Sequence, residues 1–399
     1  VSKFLQRFYL YSFFALVIAL VTLGTSFSKF HLYGSIYLHD LILIVLVISI
    51  VFNPPRVLLH IPVLVLLLFS VAYLVISLLL MRTSMELIIR QYAIFGYLGC
   101  YYLIFSKTRG IPMVHFRNFI LKIGCLSVAI QVIYTFYLLI NGISVLDEYH
   151  YYSPAIVLGI IICGASVLVF VTSTGLKLGL FFLILLLSTT TGHSSAALSL
   201  LILFGASILF NVSNKSKLII CVFGTIALFT LYLLLPQFQD NNASFRLIAW
   251  NYTLQRLIIE NGGLLGEGFG IPYFDKTLIL NLYDKIGSVG FFGIDQINEG
   301  YLSSVHNSFL TIFLSVGLIP GLLILFPFVR ILQYLRRRKY VGTPDADFIF
   351  LSLIGLCVWV SFNEILELPH SAALFWLVYF CSLSVSIDDV PTEQSASLG

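Results

Sequence analysis

Apolar stretches long enough to cross a lipid bilayer recur along this chain, and they limit what it can fold into more than any other feature. The runs at 57–80, 176–190 and 218–235 approach or exceed the roughly 20 residues that span ~30 Å of hydrocarbon as a helix. Backbone N–H and C=O groups in lipid must be satisfied within their own segment, so helices are the physical choice. Charge agrees. Only 10% of the 399 residues are charged, against about 25% in a soluble protein. The chain reads as all-α, a polytopic membrane protein.

Twelve candidate spans lie near 8–28, 39–53, 57–80, 91–106, 118–140, 154–173, 176–191, 195–212, 218–236, 306–329, 347–363 and 371–388. The first is longer than a signal-peptide core and lacks a convincing small-x-small cleavage pattern, so it is expected to be a retained helix. Lys and Arg gather in alternate short loops: Arg56; Lys107, Arg109 and Arg117; Lys177; Lys215 and Lys217; Arg330 with the basic run 336–339. The positive-inside rule places these, with Lys3 and Arg7, on the cytoplasmic side. Arg82 and Arg90, near one outside turn, go against the pattern. An even number of spans puts both termini inside and the long polar stretch 237–305 outside. The expected organisation is therefore nine helices in 1–236, an external loop at 237–305, three helices in 306–388 and a short inner tail at 389–399.

The six cysteines all fall in apolar runs, without a Cys-x-x-Cys pair, and read as small buried hydrophobes. The net charge of +4 is distributed by topology and does not signal nucleic acid.

Chemistry concentrates in and around the external loop. Phe245, Ile248, Ala249, Tyr252, Leu254 and Leu257 recur near helical spacing, and Gly262-Gly263 would stop the helix, which predicts an amphipathic helix over 243–260 on the outer membrane surface. Arg246 on that helix carries a planar fork that binds phosphate bidentately, or else anchors the helix to lipid phosphates. Arg256 has the same two readings. His306, where the loop re-enters the membrane, is a candidate proton acceptor. Asn307 and Ser308 beside it could orient an acceptor or cap the next helix. The turn 189–195 is dense in hydroxyls and includes His193. Glu364, Glu367 and His370 form a last outer cluster, which Arg90 joins from the start of another span. Gly266-x-Gly-x-Gly270 follows no strand and reads as a flexible turn. No His-x-x-x-His or Asp-x-Asp spacing suggests a metal.

Arg-x-x-x-Trp (Arg246, Trp250), Gly-x-Gly (Gly266, Gly268), His-Asn (His306, Asn307) and the Gly-Leu-x-Pro-Gly stretch at 317–321 follow in order after many helices. Arg246 and Gly262 also stand in an Arg-x15-Gly spacing. Together these resemble the O-antigen ligase and O-antigen polymerase superfamily of bacterial envelope glycosyltransferases, most closely over 185–330. One departure stands out: the family usually carries an arginine in the turn before the helix that begins here near Ser195, and this chain has Gly192-His193-Ser194-Ser195. Either His193 supplies the missing cation or donor, or Arg90 compensates.

The resemblance implies transfer of a glycan from an undecaprenyl-pyrophosphate-linked donor at the periplasmic face of the bacterial inner membrane, without metal or cofactor. It implies His306 as catalytic base and Arg246 on the donor pyrophosphate, with Arg90, His193, Trp250, Arg256, Asn307 and Glu364 around the substrates. The acceptor would be a second lipid-linked repeat unit for a polymerase, the reading favoured here, with a chain-length-regulating co-polymerase as a further partner. For a ligase it would be lipid A core. A multi-pass flippase or transporter is the reading from a different class, and it would call for charged or broken helices near the midplane.

Overall fold

A computed structural model describes the chain except for residues 1, 25–26, 28–29, 34–35, 53–59, 81–84, 109, 144–152, 212–240, 261–262, 275–277, 281–304 and 386–399. The candidate span at 218–236 and most of the second half of the external loop lie outside the described residues. The regular structure described is helical, apart from a two-stranded antiparallel ribbon pairing β1 (His31–Tyr33) with β2 (Ile36–Tyr37).

The first half holds α1 (Ser2–Thr22), α2 (Leu38–Val51), α3 (Ile61–Leu80), α4 (Met85–Thr108), α5 (Met113–Ile140), α6 (Pro154–Phe170), α7 (Thr174–Thr189) and α8 (Ser194–Asn211). After residue 240 come α9 (Asn241–Gln255), continued by a π-turn at Arg256–Glu260, then α10 (Ser308–Val316) and α11 (Leu318–Leu322). A 3₁₀ turn at Leu323–Leu325 leads to α12 (Phe326–Val341), α13 (Pro344–Phe362) and α14 (Pro369–Ser384). Among the described residues, six helical stretches are long and apolar enough to cross a membrane: Phe4–Thr22, Ile61–Leu80, Leu87–Thr108, Met113–Ile140, Leu318–Arg338 and Pro344–Phe362. Shorter apolar helices are Leu38–Val51, Pro154–Phe170, Thr174–Thr189 and Ser194–Phe210.

The centre is α6, apolar on every side and buried over nearly its whole length, as a helix surrounded by other helices must be. It packs on α5, α7, α8, α13 and α14. Small residues let α5 and α6 approach closely: a Cβ on Gly159 would lie 1.9 Å from Ser127 Oγ, and one on Gly124 3.2 Å from the Cys163 backbone nitrogen. Lipid offers no hydrophobic drive between helices, so such close backbone packing is what holds a bundle together. Outer helices expose apolar residues instead, as with Leu68 and Leu79 on α3.

One expected span is corrected. The run 306–329 is not a single helix: α10 ends at Gly317, whose φ is +89°, and a new membrane-length stretch starts at Leu318. Pro320 and glycines at 317 and 321 explain the break, since Pro lacks a donor and Gly317 adopts a conformation other residues resist.

The segment 263–273 fills the space at this break, and it is not the flexible turn that its glycines suggested. Glu267 N donates to Leu314 O at 2.8 Å, Gly268 N to Ser315 O at 3.0 Å, and Leu318 N to Gly263 O at 3.2 Å. On its other side Gly266 N donates to Tyr73 Oη at 3.0 Å, Phe269 N to Ser77 Oγ at 2.8 Å and Gly270 N to Gln91 Oε1 at 2.5 Å. Non-helical backbone among apolar helices is tolerated only when buried in protein with its polar groups paired, and these bonds do that. The glycines are required by contact: a Cβ on Gly266 would lie 2.3 Å from Ser315 O, and one on Gly317 2.5 Å from Leu264 O.

Candidate active site

Three chain segments meet at the end of the bundle where α8 and α10 begin and α13 ends. α9 carries Arg246 and Trp250 one turn apart. Its stripe Phe245, Ala249, Thr253 and Leu257 is buried at four-residue spacing, while Leu247, Asn251 and Leu254 face out. This is the amphipathic helix expected from the sequence, although Leu254 points outward and Thr253 inward. The buried stripe joins Tyr273, Phe274, Val305 and Leu314 in a small apolar cluster apart from the main core. Trp250 packs on Phe362 at the end of α13 with ring centroids 5.4 Å apart. Together these contacts hold Arg246 over the bundle end.

His306 lies below Phe245, whose ring meets the imidazole edge-on at 5.8 Å. Its backbone φ of +52° is left-handed, a conformation that costs a non-glycine residue on the order of 1–3 kcal/mol and clusters at functional sites. Nε2 lies 3.1 Å from Glu364 Oε1. Burial lowers the imidazole pKa, the nearby Glu364 carboxylate opposes that shift, and Arg246 adds to it. The ring is therefore neutral at ordinary pH.

Ser308 organises the floor. Its hydroxyl donates to Glu367 Oε2 at 2.5 Å and accepts from Ile365 N at 3.0 Å and Leu366 N at 3.2 Å. Next to it Asn363 Nδ2 donates to Ser195 Oγ at 3.2 Å, tying α13 to the first turn of α8. Glu367 Oε1 is buried with no hydrogen-bond partner among the described residues. Burial, then repulsion from Glu364, raises the Glu367 pKa to about 7.

His193 closes the site from the turn before α8, its ring edge-on to Trp359 at 5.1 Å. Burial lowers its pKa to about 3, with further lowering by Arg246 and His306. The imidazole is neutral at physiological pH, so His193 does not supply a cation here. The mutual influence of Arg246, His193 and His306 brings together the residues that the sequence singled out.

The remaining candidates have other surroundings. Asn307 caps α10, its Oδ1 accepting from Phe309 N at 3.1 Å and Leu310 N at 3.0 Å. Arg256 is buried beneath α9 and holds the loop in shape: it pairs with Glu267 and donates to the carbonyls of Pro272, at 3.1 Å, and Tyr273. That binding saturates most of its fork within the fold. Arg90 is exposed on α4. It reaches the site electrostatically through Tyr273, a fully enclosed phenol held well above its usual pKa by burial and by Glu367 and Glu364, with Arg90 opposing. Asn363 and Tyr273 carried no signal in the sequence; the meeting of α10 with the turn after α13 brings Asn363 beside Ser308, and the 263–273 segment brings in Tyr273. Among the described residues no group of three or more His, Cys, Asp or Glu could hold a metal ion.

No protein-family model matches the chain, and no curated protein matches it in sequence.

Proposed function

We propose that this protein is a membrane glycosyltransferase that polymerises undecaprenyl-pyrophosphate-linked oligosaccharide repeats at the outer face of a bacterial inner membrane. In this reading the bundle has twelve spans, both termini are cytoplasmic, and 237–305 is periplasmic. The observation that carries it is the His306–Glu364 pair, 3.1 Å apart, set beside the Arg246 guanidinium.

The chemistry follows from those groups. With Nε2–H turned to Glu364, Nδ1 of the neutral imidazole keeps the lone pair. An acceptor sugar hydroxyl gives its proton to that nitrogen as its oxygen attacks the anomeric carbon of the donor. The bond from that carbon to the phosphate oxygen breaks, and undecaprenyl pyrophosphate leaves with the electron pair. Arg246 holds the departing pyrophosphate by its fork and offsets the growing charge. His193 adds a neutral donor, and Glu364 fixes the tautomer and ring plane of the base.

A transporter would draw support from the helix break at Gly317. The Leu314 and Ser315 carbonyls freed there accept bonds from Glu267 and Gly268, so they are not left to coordinate a cargo. The break therefore lends a transporter no support.

The test is transfer in proteoliposomes loaded with lipid-linked repeat units. Native protein is expected to lengthen the glycan and release undecaprenyl pyrophosphate. Arg246→Ala should abolish this with expression unchanged, and Arg246→Lys should recover little, because a point ammonium lacks the bidentate fork. Full activity in Arg246→Lys would reduce the residue to an interfacial anchor. Transfer only to added lipid A core would make the protein a ligase, and movement of lipid-linked repeats across the bilayer without transfer would make it a flippase.

A further inference from the structure

At the opposite end of α8 and α13 from the candidate active site lies a second, polar site. α8 starts beside His193 and ends at Asn211, about 27 Å away at 1.5 Å per residue. Here the ends of α6, α8 and α12 and the starts of α7 and α13 line a cavity of about 410 Å³. Lys177, Arg338, Asp347, Ser207 and Thr343 supply its polar lining, and Phe210 forms part of its wall.

The charges in this cavity do not cancel. Asp347 is committed to Arg338, which donates from Nε at 2.8 Å and Nη2 at 2.6 Å, and it also accepts from Tyr334 Oη at 2.8 Å. Asp345, the other acid in the first turn of α13, is paired with Arg117 at 2.6 Å. Arg338 lies over the Phe210 ring at 5.7 Å and donates to the Phe210 carbonyl at 2.5 Å, so its plane is fixed. Lys177 then lines the cavity with no carboxylate in ion-pair range among the described residues. A half-buried ammonium in a polar cavity, next to a locked guanidinium with donors to spare, attracts an anion.

The rim gives the anion's source. Lys177 sits between Leu176 and Leu178, both exposed, and Phe170 at the end of α6 is exposed nearby. An anion held at Lys177 therefore has apolar surface leading away from it along α7, where acyl chains would lie. We propose that this cavity binds the phosphate headgroup of an anionic phospholipid, with Lys177 as its principal cation and Arg338 as the positioned second donor. The site does not depend on the catalytic reading of the other end. Its phosphate recognition follows the general behaviour of basic pockets between membrane helices.

The experiment measures the apparent melting temperature of purified full-length protein in detergent, titrated with phosphatidylglycerol, phosphatidylcholine or inorganic phosphate. Phosphatidylglycerol is expected to raise it in a saturable way, since a ligand of the folded state stabilises it; the other two should not at equal concentration. Lys177→Glu should weaken the apparent affinity for phosphatidylglycerol by on the order of tenfold or more. Lys177→Met gives the same answer if charge reversal impairs folding. Arg7→Glu alters an exposed cation near the start of α1, at the same end of the bundle because Gln6 abuts Gly110, and should respond as native. Equal shifts with phosphatidylcholine, or an unchanged response in both Lys177 variants, would overturn the proposal. An equal shift with inorganic phosphate would overturn the lipid assignment.

Discussion

At the residue scale, His306 and Glu367 show how one small region assigns different proton affinities. His306 lies in the left-handed region, so Asn, which tolerates that conformation, is the substitution that removes the base with least strain. His306→Asn is expected to lower transfer by about 10²–10⁴-fold, the range for a lost general base, while binding of a lipid-pyrophosphate analogue persists. In the native protein the rate should fall as pH drops through the imidazole pKa, and that limb should lie below the pH of an ordinary histidine, because burial lowers the value. A limb above neutral pH would remove His306 from the role of base. Glu367 acts on stability. Its folded pKa of about 7 stands above its usual 4.5, so between those values the folded state binds more protons than the unfolded chain. Its contribution to stability is present at low pH and is lost as pH rises through about 7. Apparent melting temperature should therefore climb as buffer is taken from pH 7 toward 5, and Glu367→Gln should flatten that climb. An unchanged slope in Glu367→Gln would place the titration elsewhere.

At the scale of elements, the crossing of 263–273 with the α10–α11 break determines how the external segment meets the bundle. Each partner supplies a glycine because backbones touch there, Gly266 against Ser315 and Gly317, and Gly317 against Leu264. Arg256 braces the same loop from above through Glu267 and two carbonyls. Gly317→Ala adds a methyl group where a backbone oxygen already stands and forces alanine to a φ of +89°. Overpacking alone costs about 1–3 kcal/mol, so melting temperature and expression should both fall. Gly179→Ala on α7, where nothing lies within 4 Å of the added carbon, should be neutral or mildly stabilising, since glycine within a helix costs about 0.5–1 kcal/mol relative to alanine. Equal behaviour of the two variants would mean that the crossing is looser than these contacts require.

For the whole molecule, the two ends of the bundle differ in charge character. One gathers Arg117, Lys177 and Arg338 with Asp345 and Asp347; the other holds His193, Arg246, His306, Glu364 and Glu367. The topology proposed above puts the first on the cytoplasmic side, by the positive-inside rule. Single cysteines at Glu260, at the exposed end of the π-turn, and at Arg337, exposed on α12, should label with an impermeant maleimide from opposite sides of intact inner-membrane vesicles. Labelling from the same side would end this topology.

The sequence by itself determined that the chain is a bundle of apolar helices, where most of those helices lie, and that a polar segment between them carries an amphipathic helix with Arg246 on it. These were legible because membrane helices satisfy their own backbone and leave a local mark of length and hydropathy. Arg246, His193, His306 and Glu364 could be singled out one by one, since polar groups stand out between apolar runs. What only the tertiary structure decided depends on non-local contact. The break at Gly317 was hidden inside an apolar run, because hydropathy does not register a change in backbone direction. The glycines at 266 and 268 looked flexible, since what crowds them comes from elsewhere in the chain: the backbone at Ser315 and Gly317 for one, the Ser77 and Tyr73 side chains of α3 for the other. Arg256 looked like Arg246 until the fold set Glu267 against it. His193 could be read as a cation or as a neutral donor, and burial makes the neutral imidazole its stable form. Proton affinity and close backbone contact belong to neighbours brought from distant parts of the chain, and local sequence does not encode them.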